Sequence, residues 1–208
     1  MGDERASIEI SVRDPRTAEV RVVAPDRPAL MRDIARALTK EGFFIDSATI
    51  STKNGDVADN VFVIKLISDD DVSMTSFVDE KGLACQTMLG RVETLVVEAA
   101  MDAWGITTPD HVAYLAPEDK KVEPSATATT VESSLTKSGK CVMVSVTATD
   151  RAGLLAATTA ALHDIGCGII SATVQTKEGI ASNNFVVAAP DGCGAEKVRL
   201  ACLAVAAK

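Results

Sequence analysis

Two five-residue segments carry the residues of this chain best suited to hold a small anionic group. They are Asp26-Arg27-Pro28-Ala29-Leu30 and Asp150-Arg151-Ala152-Gly153-Leu154. Each stands directly before an apolar pattern of helical period, so its backbone N–H groups lie at the positive end of a helix dipole, where anions bind. Gly153 lets a ligand approach the backbone closely, whereas Ala29 places a methyl group at the matching position.

The same residues also admit purely structural roles, and both interpretations stay open. Asp26 and Asp150 are good helix N-caps, because a carboxylate accepts from the free N–H groups of a first turn. Arg27 and Arg151 are expected in solvent or paired with a nearby carboxylate. Gly153 could equally serve close helix–strand packing.

No arrangement of residues for catalysis is visible elsewhere. His111 and His163 do not recur at matched positions, and the chain has neither a GxGxxG pattern nor a P-loop. His163 and Cys167 lie one turn apart, but a second pair of metal ligands is lacking, so we expect a surface histidine and a buried thiol. The acidic run Asp69–Asp71 is predicted to be a solvated loop. We therefore predict a protein that is not an enzyme and has no metal or cofactor.

Composition excludes several classes of partner. The formal net charge of −8 argues against binding nucleic-acid phosphates or an anionic membrane surface. No apolar run reaches the roughly 18 residues that span a bilayer. The five cysteines are odd in number and form no CxxC motif, which indicates a reducing compartment. We expect a cytoplasmic protein, or one of the plastid stroma if a transit peptide has been removed.

The two segments belong to a repeated module. When the chain is shifted by 124 positions, Val20–Gly55 aligns with Val144–Gly179 and 16 of the 36 aligned pairs are identical. One residue is then lost, and Asn60–Phe62 aligns with Asn183–Phe185. A duplicated module explains this match, since repeats at a fixed spacing arise from repeated structural units.

Each copy is predicted to fold as strand, strand, helix, strand, strand, helix. Alternation of apolar and polar residues indicates strands, and apolar residues four apart, such as Leu30, Ile34 and Leu38, indicate the first helix. In copy one we predict a leading strand through Ile8, Ile10 and Val12, core strands near 20–24, 44–53 and 58–67, and a second helix near 83–104. In copy two the leading strand is near 127–132, the core strands near 142–146, 168–177 and 181–189, and the second helix runs from about Gly194.

Turn and core residues complete this prediction. Gly42 and Gly166 stand where a left-handed helix cap belongs, and Asn54-Gly55 and Glu178-Gly179 are hairpin signals. Phe62 and Phe185 are expected in the core, and Asn60 and Asn183 at sheet edges. We predict an α+β fold in which each module has an antiparallel sheet, two helices on one face and an extra N-terminal strand. The modules span residues 1–105 and 126–208, joined by a linker at 106–125.

The repeat resembles the ACT domain, a small ligand-binding regulatory module with a ferredoxin-like fold. The resemblance lies in the strand, the Asp-Arg-x-x-Leu entry to the helix, and the later Ile-x-x-Ala and Asn-x-Phe patterns. Asp150-Arg151-Ala152-Gly153-Leu154-Leu155 is close to the usual Asp-Arg-Pro-Gly-Leu-Leu of that family. The layout of two such modules without an enzyme domain is similar to the double-ACT proteins of plants, algae and cyanobacteria.

The resemblance implies a ligand site between the loop and the start of a neighbouring second core strand. The implied effector contacts are Asp26, Arg27, Ala29, Leu30, Phe44 and Ile45 in copy one, and Asp150, Arg151, Gly153, Leu154, Gly168 and Ile169 in copy two. Because copy two has glycine at both matched points, we expect the ligand at its Asp150–Leu154 loop. Copy one, with Ala29 and Phe44, is then mainly structural.

Two functions from different classes follow. The first is a non-enzymatic regulatory or sensor protein that binds a small metabolite at the module interfaces, an amino acid being one candidate. The second is a ligand-free interaction module that assembles with a partner enzyme. In both, the two modules are expected to pair within the chain to cover their sheet edges, and two chains to pair further as a homodimer.

Overall fold

In the part of the chain that the structure describes, eight strands and four helices form a two-layer α+β sandwich. We describe the chain from a computed structural model, which covers residues 6–53, 56–66, 76–101, 129–136 and 141–207. The strands make one antiparallel sheet in the order β1-β2-β4-β3-β7-β8-β6-β5. The helices contact one another in the order α2-α1-α3-α4 over this sheet. Within the described residues, none of the helices is both long and apolar enough to cross a membrane.

The first half of the sheet and its two helices are the first module. Its elements are β1 (Ser7–Asp14), β2 (Thr17–Pro25), α1 (Leu30–Lys40), β3 (Phe43–Lys53), β4 (Val57–Leu66) and α2 (Gln86–Ala100). Alternate residues of the inner strands are buried under the helices, as in Val20, Val22 and Phe62, which are fully covered. The period of two in the sequence therefore becomes a core side and an outer side of the sheet.

The second module repeats this plan. Its elements are β5 (Thr130–Leu135), β6 (Val142–Thr149), α3 (Leu154–Asp164), β7 (Gly168–Lys177), β8 (Ile180–Ala188) and α4 (Ala195–Ala206). The leading strand of each module pairs with the first core strand at the outer edge of the sheet, as predicted. The expected α+β fold of two ferredoxin-like, ACT-like modules is confirmed. The linker predicted at 106–125, the acidic run and His111 lie outside the described residues.

The two modules join through their second core strands. β3 pairs antiparallel with β7, and Thr49 lies opposite Thr173, its own equivalent in the repeat. On either side of this pair, Ser47 faces Gln175 and Ser51 faces Ser171. The pairing is therefore related by a pseudo-twofold axis through the two threonines, and α1 packs beside α3 above it. The expected pairing of the modules within the chain is what the structure shows.

The predicted helix caps at Asp26 and Asp150 are wrong. Helix α1 begins at Leu30 after Ala29, and α3 begins at Leu154 after Gly153, and neither has a side-chain cap. The residue before each helix has a left-handed backbone, with φ of 67° at Ala29 and 79° at Gly153. Three residues therefore lie between each aspartate and the start of the helix, and the aspartate carboxylate does not cap the helix. At the other end, Gly42 and Gly166 do have the left-handed backbone predicted for them.

The second helix of module one is shorter than predicted. The segment before Gln86 is a compact turn, in which Val78 bridges to Ala84 and the backbone N–H of Cys85 donates to the carbonyl of Phe77. Phe77 is fully buried and stacks on Phe43 with ring centroids 6.0 Å apart. This contact anchors the turn. The helix begins at Gln86, three residues after the predicted start at Leu83.

Substitutions at the two left-handed positions should change stability in opposite directions. An L-residue with a side chain in this conformation costs roughly 1–2 kcal/mol, and glycine loses about 0.4–1 kcal/mol through its freer unfolded state. We expect Ala29→Gly to raise the free energy of unfolding by about 0.5–1 kcal/mol, and Gly153→Ala to lower it by about the same amount. Urea denaturation of the two variants measures this, and losses of equal size in both would contradict it.

Candidate functional site

The strand pairing at the module boundary creates two clefts, each shared by both modules. Because β3 and β7 run in opposite directions, the start of β7 lies beside the end of β3, near Thr52. The end of β3 in turn lies beside Asp26, to whose carboxylate Thr52 donates a hydrogen bond of 2.8 Å. The loop of module one therefore faces Gly168 and Ile169 of module two. By the same symmetry, the loop of module two faces Phe44 and Ile45 of module one.

The cleft at the module-one loop is open. It has a volume of about 460 Å³, which lies within the range of small-molecule sites. Its walls include all of Asp26–Arg32 from module one, and His163, Cys167, Gly168 and Ile169 from module two. We call it the open cleft. Met31 and Arg32 of the first turn of α1 are among its lining residues, and a helix leaves the N–H groups of its first turn without intrahelical acceptors.

The cleft at the module-two loop is closed. Only about 20 Å³ remains between Asp150–Leu155 and the residues Phe43, Phe44 and Ile45, which is room for about one water molecule and not for a metabolite. We call it the closed cleft. Burial raises the pKa of the Asp150 carboxyl above its ordinary value, against the opposing effect of a 2.6 Å hydrogen bond from Thr176.

The difference between the two clefts comes from two matched positions. Where module one has Phe43 and Phe44 at the start of its second core strand, module two has Cys167 and Gly168. Sequence reasoning placed Gly153 and Gly168 in one cleft because both belong to module two. The structure separates them: Gly153 faces Phe44, and Gly168 faces the Ala29 loop. Of the predicted site residues, those with room for a ligand are therefore Asp26, Arg27, Ala29, Leu30, Gly168 and Ile169.

Asp26 and Asp150 fix the loops to the sheet. The Asp26 backbone N–H donates to Asp56 at 2.8 Å, and the Asp150 N–H donates to Gly179 at 2.8 Å. With the threonine hydroxyl bonds to their carboxylates, these contacts attach each loop to the neighbouring hairpin. One carboxylate oxygen of Asp26, Oδ2, takes the Thr52 bond, and Asp26 remains in the wall of the open cleft.

Arg27 and Arg151 bind the ends of the second helices. The Arg27 guanidinium donates to the carbonyls of Ala99, at 2.6 Å, and Ala100, at 3.3 Å. In module two, Arg151 donates to the carbonyl of Val205 at 2.7 Å. These carbonyls belong to the last turns of α2 and α4, where they have no intrahelical donor and the helix dipole is negative. The arginine of each loop is therefore a helix C-terminal contact, a role that neither sequence interpretation had assigned to it.

Two buried asparagines lie at the clefts, and the prediction that they occupy sheet edges is wrong. Asn60 is on β4 and Asn183 on β8, both inner strands of the sheet, and each is only 1% exposed. Asn60 lines the open cleft and Asn183 the closed one. The Oδ1 atom of each side chain has no hydrogen-bond partner. The repeated Asn-x-Phe pattern was a sequence signal for the burial of the asparagines. Its phenylalanines, Phe62 and Phe185, are core residues as predicted.

The thiol and imidazole groups near the open cleft do not form a metal or nucleophile site. Burial, together with the neighbouring Cys193 and Cys202, raises the pKa of the Cys167 thiol and keeps it protonated. A protonated thiol is neither a good nucleophile nor a good metal ligand. Among the described residues, no cluster of three or more His, Cys, Asp or Glu side chains could hold a metal ion.

Comparisons with known proteins give distant structural similarity. No family model matches the chain, and no curated protein matches its sequence. An unknown protein from Galdieria sulphuraria is similar at 18% identity, with 92% of each chain covered and a TM-score of 0.28. The ligand-free regulatory subunit of aspartate kinase from Thermus thermophilus is similar at 13% identity over 96% of this chain and 95% of that one, with a TM-score of 0.28.

A third solved structure, described as a glycine cleavage system transcriptional repressor, has 16% identity. The similarity covers 91% of this chain and 90% of that one, again with a TM-score of 0.28. At these values the fold assignment rests on the strand order and pairing of this chain itself.

The arginine contacts to the helix ends can be tested by stability. Arg151→Met keeps the aliphatic length but removes the donor to Val205, and hydrogen bonds involving a charged group contribute about 1.5–3 kcal/mol. We expect the free energy of unfolding to fall by about 1.5 kcal/mol in urea denaturation. Arg199→Met is the matched control, because among the described residues Arg199 pairs with Glu196 on the surface of α4; its loss should cost less than about 0.5 kcal/mol. Equal losses in the two variants would refute the assigned role.

Proposed function

We propose that this chain is a non-enzymatic regulatory protein that binds a small zwitterionic metabolite, such as an amino acid, in its open cleft. The observation that carries this proposal is the pairing of an open cleft with a closed one at equivalent places in the repeat. The cleft that remains open brings together a helix start, the carboxylate of Asp26, whose Oδ1 accepts no hydrogen bond from the side chains of the described residues, and an open strand start. These are the groups that a molecule with both an anionic and a cationic end requires.

The carboxylate of such a ligand fits the start of α1. Met31 and Arg32 line the cleft at the start of α1, where first-turn N–H groups and the positive end of the helix dipole favour an anion. Arg27 and Arg32 add positive charge nearby, although both already pair with Asp33, each at 2.8 Å. A carboxylate at this point therefore meets donors and a favourable dipole without displacing an existing ion pair.

The ammonium end fits the opposite part of the loop. Asp26 lines the cleft with one oxygen bonded to Thr52, and its other oxygen is available to a cation. Across from it, Gly168 has no side chain and nothing within 4 Å of where a Cβ would lie, so a ligand backbone can approach the strand start. The ligand would thus contact module one through the loop and module two through β7.

A ligand in this position would act as a sensor input because it joins two modules. It would favour the conformation in which the loop of module one stays against β7, since a ligand stabilises the state to which it binds. The loop is also attached through Arg27 to the end of α2. Ligand binding would therefore restrict the α2 terminus, giving the bound and unbound chain different surfaces.

A thermal-shift screen with each of the twenty standard amino acids at millimolar concentration tests the function. A ligand present at 100 times its dissociation constant adds about 2.7 kcal/mol to the free energy of unfolding. We expect at least one amino acid to raise the melting temperature by several degrees, about 2–4 °C per kcal/mol for a chain of this size. If none does so, this proposal fails and the ligand-free interaction module takes its place.

The location of the site can be tested by filling the open cleft. Gly168→Phe copies the residue that module one has at the matching position, Phe44, and the open space around Gly168 accommodates the ring. We expect this variant to fold normally by circular dichroism and to lose the amino-acid-dependent thermal shift.

Gly194→Phe is the matched control, since it adds the same ring at the start of α4, where space is also open, outside the cleft. It should keep the thermal shift. If Gly168→Phe keeps the shift as well, the ligand does not bind in the open cleft.

A further inference from the structure

We infer that Asn60 determines the specificity of the open cleft and selects a ligand whose side chain ends in a neutral hydrogen-bonding group. This inference rests on the proposed function and adds to it the chemical class of the ligand. It comes from three observations on the described residues. The buried Oδ1 of Asn60 has no hydrogen-bond partner, the neighbours of Asn60 in the sheet are apolar, and the equivalent residue, Asn183, lies in the closed cleft.

The first observation is the unpaired amide itself. Asn60 is 1% exposed, lies in the wall of the open cleft, and its Oδ1 has no hydrogen-bond partner. Leaving a buried polar group unpaired destabilises the protein. A ligand group that hydrogen-bonds to this amide recovers that cost on binding, whereas an aliphatic group leaves it in place. The amide therefore discriminates between ligands of the same size.

The second observation concerns the charge of that ligand group. Asn60 lies between Val22 on β2 and Ile50 on β3, with Ala58 two residues before it on the same side of the strand, and all three are buried. Asp26, Arg27 and Arg32 line the cleft through the loop, which lies at the end of the strands. His163 also lines the cleft, from the last turn of α3. Directly around Asn60 a charged group would be buried among apolar side chains, which is costly.

The position of Asn60 in the open cleft indicates that it contacts the side chain of the ligand. With its carboxylate at the α1 start and its ammonium near Asp26, a zwitterion has only its side chain left to extend inward over Ile50 and Ala58. An asparagine amide both donates and accepts hydrogen bonds. Because the atom of Asn60 without a partner is the acceptor Oδ1, the fitting ligand groups are those that donate a hydrogen bond without carrying charge, a carboxamide or a hydroxyl.

The third observation supplies an internal control. Asn183 is the repeat equivalent of Asn60, equally buried and equally without a partner for Oδ1, but it lies in the closed cleft. Any role of the amide in folding should be shared by both residues. A role in ligand selection belongs to Asn60 alone, so the two positions separate the structural role from the binding role.

The test uses two series of amino acids matched in length: asparagine, leucine and aspartate, and glutamine, methionine and glutamate. Isothermal titration calorimetry of the full chain measures each affinity. We expect the neutral polar member to bind about tenfold more tightly than its apolar and acidic partners in at least one series, since sites built for a hydrogen bond reject analogues that lack it. Asn60→Leu should abolish this preference, and Asn183→Leu should retain it.

Asn60→Ala and Asn183→Ala serve as a second pair in which no larger side chain must be accommodated, so that loss of folding in the leucine variants does not decide the result. The inference is overturned if the apolar or acidic member binds as well as the neutral one. It is also overturned if the preference survives in both Asn60 variants. If none of the twenty amino acids binds the unmodified chain, the proposed function fails first, and this inference falls with it.

Discussion

The antiparallel pairing of β3 with β7 is the interaction on which the rest of this molecule depends. It turns two four-stranded sheets into one sheet of eight strands and covers two edges that would otherwise expose unpaired backbone groups. Because Thr49 lies opposite its own equivalent Thr173, the start of each second core strand lies beside the end of the other. Every site between the modules must then combine a loop of one module with a strand start of the other.

Because each cleft takes its loop from one module and its strand start from the other, the two clefts are lined by different residues. The open cleft combines Ala29 with Gly168, and the closed cleft combines Gly153 with Phe44. The two clefts share no lining residue, so substitution of a lining residue changes the wall of one cleft only, even though the modules arose by duplication. The strained left-handed backbone at Ala29 lies beside the open cleft. Gly153, its equivalent beside the closed cleft, has the same left-handed backbone without that strain, because glycine has no side chain. Strain and open space thus occur together, as they commonly do at functional sites.

The sequence predicts the fold well and the site only in part, for a physical reason. Strand alternation and helix period are local signals, and they placed the second and third core strands of each module within about one residue of their observed bounds, whereas the first core strand extends about three residues further than predicted at one end. The grouping of Gly153 with Gly168 failed because it depends on the direction of pairing between modules, which no local pattern encodes. The cap role of Asp26 failed because a left-handed residue, Ala29, lies between it and the helix. The burial of Asn60 was missed because asparagine is usually exposed.

The two clefts show how a duplicated module can separate stability from binding. In the closed cleft, Phe43 and Phe44 line the small space that remains, and burial of such rings is a strong source of stability. In the open cleft, Cys167 and Gly168 leave that space unfilled, and a polar amide at its floor is unpaired. An open, polar-lined cleft is destabilising in isolation, and it persists where surrounding packing compensates for it. The shared sheet provides this compensation, because loosening at the open cleft is opposed by the filled cleft on the other side of the same strand pair.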